Sequence, residues 1–123
     1  MSHIVTIQTE VRDVAGINAA CTRLQLSQPT LGDHQLFTNT VHGWAVRLTD
    51  WRYPIVCQTD TGHIEYDHFQ GRWGDPQRLD QFLQAYAVEK AKLEARKRGH
   101  TAIEQPLADG SIQLTIHTGA QAI

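Results

Sequence analysis

The feature that most constrains the fold of this chain is residues 75–117, which predict one long amphipathic helix followed by a β-hairpin. The dipeptide Asp75-Pro76 suits a helix start, because Asp is a favourable N-cap and the missing N–H of Pro costs nothing at the first helical position. Gly99 follows a basic last turn and favours the left-handed conformation that ends many helices. The dipeptide Asp109-Gly110 predicts a two-residue turn between two extended runs.

The long helix carries a wide apolar arc, made of one stripe of large side chains and a second row of small ones. An arc of this width indicates that the helix contacts more than one element. Two explanations stay open, namely packing against the first helix and packing against a helix of another chain. The large stripe consists of Leu79, Phe82, Leu83, Tyr86 and Leu93.

The start of the chain predicts a strand followed by a helix. Residues 3–11 alternate and are rich in β-branched side chains, which is typical of a half-buried strand. Asp13 is placed to cap a helix that runs from Val14 to about Leu26 with one apolar stripe. Residues 27–33 have the composition of a loop.

The middle of the chain predicts strands that are joined by tight turns. Residues 34–49 are extended, with breaks near Asn39 and Gly43. Residues 55–58 and 63–67 predict two further strands, separated by a glycine-containing turn. Each helix is thus flanked by strands, and neighbouring strands are close in sequence.

This order predicts a largely antiparallel sheet with both helices on one face, because tight turns can join only antiparallel neighbours. We therefore expect residues 1–123 to form a single α+β domain. Its architecture is expected to be a two-layer sandwich, either ferredoxin-like or a relative with an extra hairpin.

Composition and charge exclude several classes of protein. The 123 residues are 41% apolar and 20% charged, which is ordinary for a globular domain, and the formal charge of −2 gives no global attraction to nucleic acid or anionic membrane. No apolar run approaches the ~20 residues of a membrane helix, and no signal peptide precedes the first strand. Cys21 and Cys57 lie far apart without a Cys-x-x-Cys motif, so we expect buried thiols and a reducing cytoplasm.

Residues at both ends of the chain form a recognisable combination. They are Met1-Ser2-His3-Ile4, Ile7, Thr9 and Asp13 at the start, and Tyr86-Ala87, Glu94-Ala95, Gly99-His100, Glu104 and residues 109–114 at the end. This combination resembles the domain of unknown function 1257 family, which includes the hypothetical chloroplast reading frame 35 proteins of algae and cyanobacteria and their bacterial relatives. The resemblance covers over half the chain and is weakest over residues 28–67.

The resemblance identifies no catalytic residue, because the family has no established activity, and we expect no cofactor. Relatives are encoded near AAA-type ATPases and other small uncharacterised proteins. The resemblance therefore implies a small accessory subunit whose partner is an AAA-type ATPase or another small accessory protein. A second copy of the chain is a further candidate partner.

The best candidate for a metal site is the segment 60–68. His63, Glu65 and Asp67 would project from the same face of a strand, and His68 follows at the strand end. The same alternation also describes a solvent-exposed strand face, and no closed zinc spacing occurs. Both explanations stay open.

The end of the long helix is basic, with Lys92, Arg96, Lys97 and Arg98 as candidates for anion contact. Such a cluster could meet the phosphates of RNA or the acidic surface of a partner. It is also typical of a solvated face that complements the negative end of the helix dipole. No aromatic RNA-binding motif is present on the predicted strands.

Aromatic residues and arginines occur together in two predicted loops. They form the runs Trp51-Arg52-Tyr53 and Arg72-Trp73. Trp, Tyr and Arg are enriched at protein interfaces, so these five residues are the candidates for partner binding, with core packing as the alternative explanation. Trp44 and Phe69 are expected to complete the cluster.

Motifs of catalysis are missing from the sequence, including a nucleophile elbow and a Gly-rich phosphate loop. We therefore expect a non-catalytic accessory or adaptor domain that binds a protein partner. One alternative is a metal-binding protein or small enzyme that uses His63–His68. The other is a nucleic-acid accessory protein that uses the basic end of the long helix.

Overall fold

The computed structural model describes residues 4–118, which form a central antiparallel sheet, two helices and a separate hairpin. Neither helix in this range is both long and apolar enough to cross a membrane. The elements are β1 (Val5–Gln8), α1 (Val14–Arg23), β2 (Thr30–Gln35), β3 (Thr40–Val46), β4 (Ile55–Gln58), β5 (His63–Tyr66), α2 (Pro76–Lys97), β6 (Thr101–Pro106) and β7 (Ile112–His117).

The central sheet has the strand order β1-β5-β4-β3-β2, and every neighbouring pair is antiparallel. Strands β6 and β7 pair with each other in a second sheet. The prediction of a two-layer α+β sandwich is confirmed by this arrangement of sheet and helices. The ferredoxin-like detail stays a prediction.

Both helices cover one face of the central sheet and form the main core with it. Ile17 of α1 and Phe82 of α2 are fully buried in one cluster with Ile55, Cys57 and Ile64 of the sheet. Alternate strand residues point to opposite faces, so Val56 belongs to the other face. There it forms a second, smaller core with Leu36 and Val41.

The predicted helix caps are confirmed. The Asp13 carboxylate accepts a hydrogen bond from Ala15 N at 2.9 Å, and the Asp75 carboxylate accepts one from Gln77 N at 2.9 Å. Gly99 has φ 75° and ends α2 in the left-handed conformation.

Helix α1 ends at Arg23, three residues before the predicted end at Leu26. Gln25 adopts φ 60°, and Leu26 N donates to Cys21 O at 2.8 Å. This is the hydrogen-bond pattern of a glycine-ended helix, formed here by a glutamine. Because the usual glycine signal is missing, the sequence pattern overestimates the length of the helix.

The prediction that residues 27–33 form a loop is correct for residues 27–29 and wrong for residues 30–33, because β2 begins at Thr30. Strand β2 lies at the sheet edge with β3 as its neighbour, and its side chains are exposed or half-buried, so it shows no hydrophobic alternation. Gly43 does not break β3 either. A Cβ at Gly43 would lie 2.8 Å from Cys57 O, so glycine permits the close approach of β3 and β4.

The C-terminal hairpin is confirmed, but its turn is longer than the two residues predicted. Residues 107–111 separate β6 from β7, with Leu107 N donating to Ser111 O at 2.9 Å and Gly110 at φ 89°. The observed first strand is also shorter than the predicted range 3–11, because β1 spans Val5–Gln8. His3, where that prediction began, lies outside the described residues.

The wide apolar arc of α2 packs against α1 and the sheet, as the first of the two explanations predicted. Tyr86 belongs to this contact, and its hydroxyl oxygen accepts hydrogen bonds from Arg12 N at 3.2 Å and Asp13 N at 3.0 Å. Its ring lies 2.8 Å from the position that a Cβ on Gly16 would occupy. Gly16, which weakens α1 by propensity, therefore allows the two helices to approach.

Candidate partner-binding surface

Six side chains form a surface that we call the arginine–aromatic patch, with Trp73 at its centre. Trp73 contacts three rings, at centroid distances of 5.0 Å to Phe37, 5.5 Å to Tyr53 and 4.8 Å to Phe69. The Arg52 guanidinium lies 5.1 Å from the Trp73 ring centroid and 5.7 Å from that of Tyr53. The Arg72 guanidinium lies 5.2 Å from that of Phe69. The patch consists of Phe37, Arg52, Tyr53, Phe69, Arg72 and Trp73.

Three loops that are distant in sequence build the patch. Phe37 lies in the β2–β3 turn beside buried Leu36, while Tyr53 packs on the smaller core beneath it. The loop between β5 and α2 supplies Phe69, Arg72 and Trp73. Arg52 N donates to Trp73 O at 2.8 Å, which joins two of these loops directly.

The loop between β5 and α2 has an unusual backbone. Phe69, Gln70 and Gly71 adopt φ values of 50°, 54° and 93°. Left-handed conformations are unfavourable for residues other than glycine, so tertiary contacts must hold the first two. One such contact is the hydrogen bond from Arg52 N to Trp73 O at 2.8 Å. Within the loop, the Asp67 carboxylate accepts a hydrogen bond from Phe69 N at 3.1 Å. The fold thus fixes the rings of the patch in place.

The charges of the patch are not neutralised by any residue of the described range 4–118. Arg52 and Arg72 are exposed, and within residues 4–118 neither forms an ion pair with a carboxylate. Phe37 is 50% exposed, and the other three rings are half-buried. The patch therefore combines accessible apolar surface with two available cations.

Trp51, predicted to bind a partner, lies instead in the main core with 8% of its surface exposed. Its ring packs against Tyr66 and His68, and its Nε1–H donates to Asp75 O at 3.0 Å. Trp44 likewise packs against the main core rather than with the loop rings. Arg52, Tyr53, Arg72 and Trp73 do come together.

The structure does not bring the four candidate metal ligands together as a metal site. His63 and Glu65 are half-buried and lie two residues apart on β5, so they share one face of the strand. Asp67 is buried with 1% exposure, and His68 packs against Trp51 and Tyr66. Among residues 4–118, no three His, Cys, Asp or Glu side chains are placed to hold a metal ion.

Two polar atoms near the patch are buried without a hydrogen bond in the described part of the chain. They are Asp67 Oδ2 and His68 Nδ1. Asp67 and His68 directly follow β5 and begin the loop that presents Phe69, Arg72 and Trp73.

The basic end of α2 is partly neutralised by internal ion pairs. Lys92 Nζ lies 2.6 Å from Glu104 Oε2 and 3.2 Å from Glu89 Oε2, and Lys97 Nζ lies 3.3 Å from Glu94 Oε2. Arg23 of α1 also contacts both Glu89 and Glu104, at 3.0 and 2.7 Å. Of the four predicted anion-binding residues, Lys92 and Lys97 are therefore paired, whereas Arg96 and Arg98 are exposed cations without an ion pair among residues 4–118.

We expect this network to stabilise the attachment of the C-terminal hairpin in a pH-dependent manner. Hydrogen bonds from Arg23 and Lys92 lower the pKa of Glu104 from 4.5 to about 2. A lower pKa in the folded state means that the stabilisation is fully present above about pH 4.5 and is lost as the pH falls to about 2. Replacing Glu104 with Gln is expected to lower the free energy of unfolding at pH 7 by about 1–2 kcal/mol, since the pairs are partly exposed.

Urea unfolding of wild type and Glu104→Gln across this pH range measures the effect. The two curves should converge as the pH approaches the pKa of the folded state. Glu10→Gln serves as the control, because the Glu10–Arg12 pair is exposed and should contribute little. Equal stabilities of wild type and Glu104→Gln at pH 7 would contradict the assigned role of the network.

A concave region outside the arginine–aromatic patch lies at the turn between β4 and β5. It is a groove of about 580 Å³ whose lining includes Leu31, His42 and Cys57, and His42 Nδ1 lies 2.7 Å from Asp33 Oδ1. The Cys57 thiol is fully buried, and burial raises its pKa to about 12. It therefore remains protonated and does not provide the nucleophile that an Asp–His pair would activate.

Phe37 is the member of the patch for which the sequence gives no functional indication. It belongs to an extended run, and the turn that places it beside Trp73 depends on the pairing of β2 with β3. The sequence pattern that could have indicated its exposure is the pair Leu36-Phe37 before a polar turn. Consecutive side chains of an extended chain point to opposite sides, so the two residues cannot both enter the same core.

No protein-family model matches this chain, and neither a curated protein nor a solved structure matches it. Function is therefore inferred from the chemistry of the patch.

Proposed function

We propose that this chain is a non-catalytic accessory domain that binds a protein partner through the arginine–aromatic patch. The observation that carries this proposal is the position of Trp73, half-buried among three rings and under the Arg52 guanidinium. Trp, Tyr and Arg are the residue types that most often dominate the free energy of protein association.

The patch is also suited to binding because it is pre-organised. Contacts with the rings of Trp73 and Phe69 restrict Arg52 and Arg72 before a partner arrives. Binding then loses less side-chain entropy than it would with two freely rotating arginines.

Other features support an accessory role. On the basis of the resemblance to the domain of unknown function 1257 family, we propose an AAA-type ATPase or another small accessory protein as the partner. A second copy of the chain is a further candidate. Cys21 and Cys57 are both buried and unpaired, which supports a cytoplasmic location. The metal alternative receives less support, because no three candidate ligands among residues 4–118 are placed to hold a metal ion. The nucleic-acid alternative receives less support, because Lys92 and Lys97 are already paired and leave Arg96 and Arg98 as the unpaired candidates among residues 4–118.

Selection from a random peptide display library tests the proposal, because the library samples many possible binding sequences at once. We expect clones that bind the wild-type domain and bind Trp73→Ala at least about thirtyfold more weakly, since truncation of a dominant residue costs about 2 kcal/mol or more.

Ile103→Ala is the matched control, because Ile103 is a large apolar side chain on β6 with 53% exposure. Clones should bind this variant as they bind wild type. Circular dichroism and urea unfolding establish that Trp73→Ala remains folded. If repeated selections yield no clone whose binding depends on Trp73, the proposed function is wrong.

A further inference from the structure

We infer that the arginine–aromatic patch recognises an acidic segment of its partner, in which carboxylates flank a large apolar side chain. This inference rests on the proposed function and specifies the chemistry of the partner. In such a complex, the carboxylates would pair with Arg52 and Arg72, and the apolar side chain would lie against Trp73 and Phe37.

The contacts of the arginines leave their hydrogen-bond donors available. The guanidinium Cζ atoms of Arg52 and Arg72 lie 5.1 and 5.2 Å from the ring centroids of Trp73 and Phe69, so each cation is held beside a ring. A guanidinium carries five N–H donors, which bind a carboxylate in a bidentate manner. Since Arg52 and Arg72 have no carboxylate partner within residues 4–118, each can accept one from another molecule.

The spacing of the two arginines limits the spacing of the carboxylates. Contacts of 5.1, 4.8 and 5.2 Å join Arg52 to Trp73, Trp73 to Phe69, and Phe69 to Arg72. An extended chain rises about 3.3 Å per residue, so carboxylates within about five residues of each other can reach both guanidiniums. The apolar side chain between them would meet Phe37, which is the most exposed ring of the patch.

The charge of the rest of the domain favours an acidic peptide over a nucleic acid. A nucleic acid presents a continuous row of phosphates and needs a correspondingly long row of cations. The chain has a net charge of −2, and Arg23, Lys90, Lys92 and Lys97 are occupied by internal carboxylates. Arg96 and Arg98 are also unpaired among residues 4–118, but they lie at the end of α2 and outside the patch. The patch itself offers two unpaired cations beside aromatic surface, which match a short acidic segment.

The test uses the Trp73-dependent peptides from the display selection. Each is resynthesised with a fluorescent label in two forms, the selected sequence and a version with every Asp and Glu replaced by Asn and Gln. Fluorescence anisotropy then measures the affinity of both forms for the wild-type domain, Arg52→Gln, Arg72→Gln and Arg96→Gln. Arg96 is the matched control, as an exposed arginine of α2 that is not stacked on a ring.

We expect the acidic form to bind wild type at least about tenfold more tightly than the amide form. Arg52→Gln and Arg72→Gln should each weaken the acidic form about tenfold, while Arg96→Gln changes its affinity less than about twofold. Added salt should weaken the acidic form and leave the amide form nearly unchanged.

Three outcomes would overturn the inference. Trp73-dependent peptides could lack acidic residues or bind equally in both forms, in which case the proposed function stands and the inference fails. Single-stranded oligothymidylate could bind wild type more tightly than the acidic peptide and lose this affinity in Arg52→Gln, which would identify a nucleic-acid surface. The absence of any Trp73-dependent peptide would remove the proposed function and the inference together.

Discussion

Replacing Trp51 with alanine is expected to lower the free energy of unfolding by about 3–5 kcal/mol, the range found for large buried aromatic residues. The ring is 8% exposed and packs against Tyr66 and His68. Its Nε1–H donates to Asp75 O, and Asp75 is the N-cap residue of α2. The substitution therefore opens a cavity and frees the start of the long helix.

The measurement is urea unfolding followed by circular dichroism, with Trp73→Ala as the comparison. Trp73 is half-buried in the patch rather than in the core, so its replacement should cost clearly less. A loss below about 1.5 kcal/mol for Trp51→Ala, or an equal loss for both variants, would contradict the separation of core and patch.

Replacing Gly74 with alanine is expected to lower the free energy of unfolding by about 2–3 kcal/mol, as overpacking of a core does. A Cβ at this position would lie 2.6 Å from Trp51 Cγ. The indole is buried and hydrogen-bonded, so it cannot move aside without loss of its own contacts. The chain thus passes over the face of Trp51 at a residue without a side chain.

Gly71→Ala is the control for this prediction, since it lies in the same loop. A Cβ at Gly71 meets no atom within 4 Å, and its φ of 93° is the source of the expected cost. That cost is about 1–2 kcal/mol, the usual value for a left-handed residue other than glycine. Thermal or urea unfolding measures the free energy of unfolding of both variants. A larger loss of that free energy for Gly71→Ala than for Gly74→Ala would contradict steric exclusion at Gly74.

The parts of the fold that were predictable from sequence are those that local geometry determines. The start of α2 at Asp75-Pro76 and its end at Gly99 depend on backbone groups within one turn of the helix. Strand β4 was predicted with its observed bounds, because an uninterrupted apolar run after a proline is typical of a central strand. Edge strand β2 was not predicted, because a strand that is exposed on both faces shows no alternation of apolar and polar residues.

The residue types of the candidate site could be predicted from the sequence, but the individual residues that form it could not. Trp51 and Trp73 both follow or precede an arginine in a loop, yet one is buried and the other lies in the patch. The difference arises from the path of the chain at Gly74 and from the contact with Tyr66, and neither can be deduced from neighbouring residues. The same limit applies to Asp67, whose strand register predicts an exposed carboxylate but whose side chain is buried.

The assembly of the patch from three separate loops links ligand recognition to folding. Phe37, Tyr53 and Trp73 meet when β2–β3, β4 and the segment before α2 are all in place, so the unfolded chain has no equivalent surface. A ligand that binds the folded state alone raises its apparent stability by RT ln(1 + [L]/Kd), about 2.7 kcal/mol at a hundredfold excess over Kd. A rise in the melting temperature of the domain therefore reports the binding of its partner.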